Sequence, residues 1–533
     1  FFENQQYITN ADGTTRNISQ YADTRSNMLF GRYNLGWDYE INKYNFLTAS
    51  VSYGVRNMRN RQDGLLTDTY LDEVLQSSLL RDVNTDNLSN NIDLNFNYTK
   101  SYEKKGKEFS ISGLFSQNNL TNDFINSEYD SNFENISSRI KNLNSGINRE
   151  FTLQLDYVTP LAENQILEYG AKNILRKAVS DFAYFTAEGA DGEFVQVDDV
   201  NFSNEFSYDQ NVTAAYASYT TNFLKKYAFK GGMRYEYTSI AADFSNSELD
   251  GEIPSFGVWV PSLNLSRKLE KGNMIKAAYN RRVQQVSQGN PLLEPELTDN
   301  YEMSYSTFFK GSNLNFTTYF RNTTGSIQPV RTVRQDDIIF TTYENIGQEK
   351  AYGLSVFANV NLSGKFSVNG SVEGYFAQLD NGLTDPLYAA SNDGFVFSGR
   401  IFANYTLPKD WQVQAFTFQR GRRVELQGTS GGFGVYGLNF NKSFNEKRGS
   451  IGFGAENFFT KVFTINNELF TPTIMQQSTV GLKNMNFKIN FNYRIGKLSV
   501  DGPSRKKKKG VTNDDLKEGG DGNSGAATGG TNN

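Results

Sequence analysis

Any chemistry in this chain must be done without histidine or cysteine, because its 533 residues include neither. Ser-His-Asp and Cys-His catalysis are closed off, as are imidazole and thiolate metal sites and disulfides. Membrane-barrel proteases and phospholipases rely on histidine, so this absence argues against an enzyme. Asp63, Asp68 and Asp72 do not match a calcium-loop pattern, and no motif calls for a metal or another cofactor. A net charge of -5 gives no reason to expect nucleic acid.

The remaining functional groups fall into a pattern. Lys230, Arg234 and Glu236 share one face of a stretch whose other face is Tyr227, Phe229, Met233, Tyr235 and Tyr237. Glu302 alternates with Tyr301, Met303 and Tyr305. Lys365 and Glu373 oppose Phe366, Val368 and Val372, and Lys488 and Arg494 oppose Phe487, Ile489 and Phe491. If these stretches are membrane strands, the charges face inward, since a Lys or Arg facing lipid at mid-bilayer costs roughly 2–4 kcal/mol. They are candidates for a lumen or substrate path, with mutual pairing as the plainer role. Arg281-Arg282 and the cluster Arg420, Arg422 and Arg423 are candidates for anion contacts or interface ion pairs. Phe182, Tyr184, Phe185 and Phe194 lie in or beside an acidic stretch, 181–205, read as a loop. They are candidates for ligand or partner binding, against packing between loops.

The elements that position these groups are strands. From Met485 to Ile495, apolar Met, Phe, Ile, Phe, Tyr and Ile alternate with Asn, Lys, Asn, Asn and Arg. A period of two marks one apolar and one wet face, and the length suits a tilted bilayer crossing of roughly 9–11 residues. No apolar run approaches the roughly 18 residues of a transmembrane helix, and the mean hydropathy is -0.55. Yet 14% of residues are aromatic, which suits a barrel that is apolar outside and polar inside. Strands are expected near 27–39, 44–57, 91–99, 108–117, 151–157 and 165–179, with long polar loops at 58–88 and up to about 148. Hairpins follow at 207–222 with 226–240, 257–268 with 272–284, 298–310 with 313–326, 339–362 with 365–379, 392–407 with 410–424, and 431–443 with 447–459. The last strand is expected at 479–497. Turns within pairs are short and connections between pairs longer, as in outer-membrane barrels with periplasmic turns. The expected fold is one large antiparallel transmembrane β-barrel over 1–498, with about twenty visible strands and 22 in a complete protein. Phe1 reads as starting in mid-element, so N-terminal strands and a plug are expected upstream. The segment 499–533, basic and then Gly/Asn-rich, reads as a disordered periplasmic tail.

Three segments resemble TonB-dependent receptor barrels, especially the large barrel family of Bacteroidota. The first is Gly289-Asn290-Pro291-Leu292-Leu293-Glu294-Pro295-Glu296 with Asn300-Tyr301-Glu302. The second is Tyr343-Glu344-Asn345-Ile346-Gly347 with Gly353, and the third is Gln427-Gly428, Lys442-Ser443-Phe444 and Glu456-Asn457-Phe458-Phe459. The tail sequence Asn513-Asp514-Asp515-Leu516-Lys517 is also similar. Read as local chemistry, the prolines suit a loop descending to a strand, and Gly347 and Gly353 suggest a bulge or bend in one long strand. The resemblance implies an outer-membrane protein among outer-membrane lipids that takes up a bulky nutrient. It also implies a TonB-type coupling protein and a surface lipoprotein as partners. The alternatives are a scaffold barrel holding surface lipoproteins or assembly factors, and a passive porin.

Overall fold

Alternation in the sequence becomes a continuous ladder in the computed structural model, which describes residues 1–9, 13–197, 204–244, 253, 255–284, 293–333, 339–384, 389–472, 474–493 and 513. Pieces that continue one another count here as one strand. The wall then runs β1 (Phe2–Thr9), β2 (Thr15–Asn42), β3 (Asn45–Leu71), β4 (Val74–Ser101), β5 (Glu108–Tyr129), β6 (Ile136–Ala162), β7 (Gln165–Glu188), β8 (Asn204–Phe223), β9 (Tyr227–Phe244) and β10 (Phe256–Lys268). It continues with β11 (Met274–Gln284), β12 (Glu296–Phe309), β13 (Ser312–Thr324), β14 (Gln348–Ser363), β15 (Phe366–Asp380) and β16 (Ser391–Leu407). The last four strands each have two pieces: β17 (Trp411–Arg420, Arg423–Glu425), β18 (Gly428–Ser430, Phe433–Phe444), β19 (Gly449–Glu456, Phe463–Phe470) and β20 (Ile474–Leu482, Asn486–Tyr493). Each strand pairs antiparallel with the next, and β1 pairs with both β2 and the first piece of β20. Among the described residues the ladder therefore returns to its start after twenty strands.

Alternation sorts the two faces. On β6 the outward Phe151, Leu153 and Leu155 are exposed, while the inward Thr152 is fully buried. One outward row fixes the membrane boundary. Tyr279, Tyr301, Phe320, Tyr352, Phe376 and Phe395 lie in register across six consecutive strands, β11 to β16. Neighbouring rings in this row stand 5.0, 6.1 and 4.9 Å apart from Tyr279 to Tyr352. Nearer the short turns, Phe366 and Tyr405 pair at 6.1 Å. They lie about ten residues along β15 and β16 from the first row, or about 33 Å of strand. Tilted by about 40°, that length spans about 25 Å, the height of an outer-membrane apolar band between aromatic girdles. Val368, Val372, Phe397 and Ile401 fill the outward positions between.

Two expected loops are strands. The stretch 58–88 is the outer half of the β3–β4 hairpin, turned by Asp72 and Glu73, both at positive φ; a two-residue hairpin turn of this hand requires that geometry. The stretch before 148 carries the outer halves of β5 and β6. Beyond the girdle no lipid demands an apolar face. The backbone ladder continues while side chains pair across it, with Arg61 on Asp86 at 2.7 Å, Ser78 donating to Asp68 at 2.6 Å and Tyr129 donating to Asp82 at 2.8 Å. The Asp82 carboxylate pushes the Tyr129 phenol up from its usual pKa. The pairing persists where the hydrophobic period stops. The expected single strand 339–362 is also divided: Ile339–Asn345 forms a separate hairpin with Ile327–Val333, and β14 begins after Gly347.

The closing register can be tested directly. Gln6 and Gln476 face each other across β1 and β20, within bridging range in either kind of antiparallel pair. In a chain without native cysteine, Gln6→Cys with Gln476→Cys should form an intrachain disulfide on mild oxidation, seen as a mobility shift on denaturing gels. Gln6→Cys with Gln477→Cys should stay reduced. Preferential bridging of the second pair would refute the register.

Candidate functional site in the barrel lumen

The inward positions of β6, β7, β8 and β9 form a polar wall. Their register stacks Gln154, Lys172, Ala214 and Glu236 in one row, and Asp156, Gly170, Tyr216 and Arg234 in the next. Tyr216 donates to Asp156, which also accepts from Gln154 at 3.0 Å. Lys230 pairs with Glu168, and Ser218 donates to the same carboxylate at 2.8 Å. Arg234 pairs with Glu236 at 2.7 Å. Further out, Arg176 meets Glu150 at 2.6 Å and donates to Gln210 at 2.9 Å. The Asn513 side chain donates to Glu150 at 2.6 Å and to Thr152 at 2.7 Å, on this same inner face.

On the opposite wall, Tyr319 donates to Glu373 at 2.5 Å, and Arg321 stands 3.9 Å from that carboxylate. Glu302 accepts from Asn300 at 2.6 Å. Lys488 pairs with Glu456 at 2.5 Å. Lys230, Arg234, Glu236, Glu302, Glu373 and Lys488 are thus inward and partnered. Lys365 is a correction: it lies in the Gly364-Lys365 turn between β14 and β15, exposed, and its N–H donates to Ser363 at 3.3 Å. A two-residue turn has no strand face, so alternation did not apply to it. Arg494 lies outside the described residues.

The aromatic candidates are not free loop groups. Phe182, Tyr184 and Phe185 stand on β7, and Phe194 follows in the β7–β8 connection. Lys141 lies 4.6 Å from both the Phe185 and Phe194 rings, and Arg139 lies 4.8 Å from Phe194. These cation–π contacts tie the connection to β6. Of the arginine pair, Arg281 makes a two-pronged contact with Asp299 at 2.9 and 2.9 Å on the outward face, beside the girdle residues Tyr279 and Tyr301. It is an interface ion pair.

Sequence reasoning missed two features. Phe357 and Phe402 face inward, opposite Ser371 and Asn369, and are 42% and 46% exposed. Phe402 also stacks against Phe416 at 6.3 Å. Their signal was a ring on the polar parity of an alternating stretch. The second feature is the hairpin 327–345. Val330 and the nearby Ile346 pack with Leu426 against Ala377 and Leu379 of the β15 inner face, which lays the hairpin inside the outer mouth.

With this geometry in hand, a family comparison decides the class: the model of the outer membrane protein beta-barrel family matches residues 100–493. The chain belongs to that family. It is an outer-membrane β-barrel protein. No curated protein matches its sequence. Among solved structures, it is similar to the ferripyoverdine receptor of the outer membrane of Pseudomonas aeruginosa, with 10% identity, 90% of this chain and 72% of that chain covered, and a TM-score of 0.55. It is similar to the ferric citrate transporter FecA, with 11% identity, 90% and 78% coverage and a TM-score of 0.55. It is also similar to the copper transporter OprC, with 12% identity, 90% and 80% coverage and a TM-score of 0.54. At such identities the likeness concerns the fold.

In this outer-membrane barrel, the sequence motifs act as clasps. Asn345 of the second motif donates to the carbonyls of Glu294 and Gly325 at 2.8 Å each, and accepts from the Glu294 N–H at 2.8 Å. Glu296 accepts from the Ile327 N–H at 3.0 Å. Gln427 of the third motif accepts from the Arg331 N–H at 2.9 Å. Asn457 accepts from the Tyr436 N–H at 3.1 Å and donates to the Asn484 carbonyl at 2.9 Å. Residues 289–292 of the first motif lie outside the described residues. Gly353 marks no bulge. A Cβ there would meet the Tyr319 ring at 2.2 Å, so the glycine makes room for the phenol that reaches Glu373. Gly353→Ala should destabilise the barrel by about 1–3 kcal/mol in denaturant titration. In a Tyr319→Ala background that cost should largely vanish; full additivity of the two changes would refute the coupling.

Proposed function

We propose that this chain is the barrel of a TonB-dependent transporter of the Bacteroidota type, which imports a nutrient too bulky for porins. The carrying observation is the wall. Its twenty strands fall between porins of 16–18 strands, which enclose an open channel, and transporters of 22, whose lumen is plugged. Its inner face has paired charges and exposed rings such as Phe357 and Phe402, surfaces that suit an inserted plug and a passing solute. Asn345, Glu296 and Gln427 bind the mouth hairpin to the start of β12 and to the β17–β18 turn, so the outer opening is a shaped structure. Barrels of the same fold include a ferric citrate transporter and a ferripyoverdine receptor, which supports the transport class without giving the nutrient. In this reading a plug carries the coupling segment, a TonB-type protein engages it in the periplasm, and a surface lipoprotein rests on the outer rim. The outer halves of β2 to β7, in strands of up to 28 residues, also favour a second reading: a scaffold that holds surface lipoproteins.

The full-length protein in liposomes is expected to pass no monosaccharide in a swelling assay. Loss of the inner-membrane coupling protein should abolish growth on the cognate nutrient while leaving growth on monosaccharides intact. Free sugar flux would sink the plugged-transporter reading. Normal growth without the coupling protein would favour the scaffold.

A further inference from the structure

Twenty residues beyond the end of the last strand, the chain touches the barrel again from inside. The β20 piece Asn486–Tyr493 runs toward the short turns, since Tyr493 pairs with Gly449 at the start of β19. Asn513 nevertheless stands on the inner face of β6, where its side chain donates to Glu150 at 2.6 Å and to Thr152 at 2.7 Å. Its Oδ1 is shielded from solvent, so the side chain is enclosed at the wall. Thr152 lies ten residues along β6 from Ala162 at the short turn. That is about 33 Å of strand and about 25 Å of height at barrel tilt. A barrel of twenty strands is about 40 Å across by strand spacing and tilt. Twenty residues of chain reach up to about 66 Å, enough to cross the lumen and climb to Thr152.

The wall at this place is covered. Register sets Thr152, Ile174, Val212 and Thr238 side by side across β6, β7, β8 and β9. All four face the lumen, and they are 0%, 1%, 2% and 2% exposed. In the rows on either side, Lys172 and Arg176 are 6% and 8% exposed. A lumen filled with water would leave inward side chains accessible, as it leaves Phe357 and Phe402 on the opposite wall. Burying a lysine and an arginine is costly unless anionic or hydrogen-bonding partners are in place. The sequence around Asn513 offers such partners and an apolar complement. Asp514 and Asp515 follow it directly, and Val511 and Leu516 flank the polar run as groups that match the strip of Ile174 and Val212.

We propose that the inner face of β6 to β9 is a docking site for the chain's own C-terminal segment 511–516, which re-enters the lumen from the short-turn side and seats Asn513 on Glu150 and Thr152. The two hydrogen bonds and the charge complementarity favour this occupant over a solute or a second copy. The docked segment takes up one side of the lumen and leaves the wall of Phe357 and Phe402 as the open route. It occupies the lumen whether the barrel transports or scaffolds.

The test is disulfide trapping in the full-length protein in its membrane, with the heat-dependent gel shift of folded barrels confirming assembly. Asn513→Cys with Thr152→Cys should bridge within one chain on mild oxidation, and Asn513→Cys with Phe357→Cys should stay reduced. A second readout follows the cover. Thr152→Cys alone should react with a water-soluble maleimide about tenfold more slowly than Phe402→Cys, and deletion of 499–533 should bring the two rates together. Bridging to position 357 as readily as to position 152 would mean a tail that wanders through the lumen. No bridge to either would place the tail outside the barrel. A bridge between two chains would mean exchange between copies. Labelling at position 152 that stays slow without the tail would mean that other groups provide the cover. Each of these four outcomes overturns the proposal.

Discussion

The constraint behind this structure is that a backbone crossing lipid must satisfy its own hydrogen bonds. A strand cannot do so alone, so each makes the next necessary until the ladder returns to its first member. Antiparallel order, short turns at one rim and the pairing of β1 with β20 follow from that demand. The side chains then divide into a face that meets lipid and a face that meets the lumen, and the aromatic row from Tyr279 to Phe395 marks where the lipid ends.

Inside the lumen the same logic applies to charge. Inward carboxylates and cations stand close enough to neutralise one another, whether on one strand (Glu236 with Arg234), on adjacent strands (Glu456 with Lys488) or two strands apart (Glu168 with Lys230). Paired charges leave the wall polar without a strong field of one sign. The exposed rings Phe357 and Phe402 and the mouth hairpin give this otherwise even surface local character. The motif residues Asn345, Gln427 and Asn457 contribute by joining segments distant in the chain, which makes them architectural groups.

Much of this was legible beforehand wherever lipid imposed its period. The strands around 151–157, 227–237 and 486–493 and the facing of Lys230, Arg234, Glu236 and Glu373 are readable because outward positions there must be apolar. Legibility failed where that pressure ended. The outer halves of β3 to β6 stay paired, with register shifts at Gln62/Leu65 and Thr69/Tyr70, yet their polar residues on both faces read as loop. Phe182, Tyr184 and Phe185 read as loop residues for the same reason, and alternation alone assigns Lys365 a strand face although it sits in a turn.

The sequence by itself determined the barrel class, the alternation of faces and the exclusion of histidine and cysteine chemistry, because composition and a period of two are local properties of the chain. Only the tertiary structure decided which charge meets which, why Gly353 must lack a side chain, that Asn345 reaches Glu294, and that β1 pairs with β20. Those facts depend on register between strands far apart in the chain. Register is set by the whole closed ladder, so no single stretch contains it.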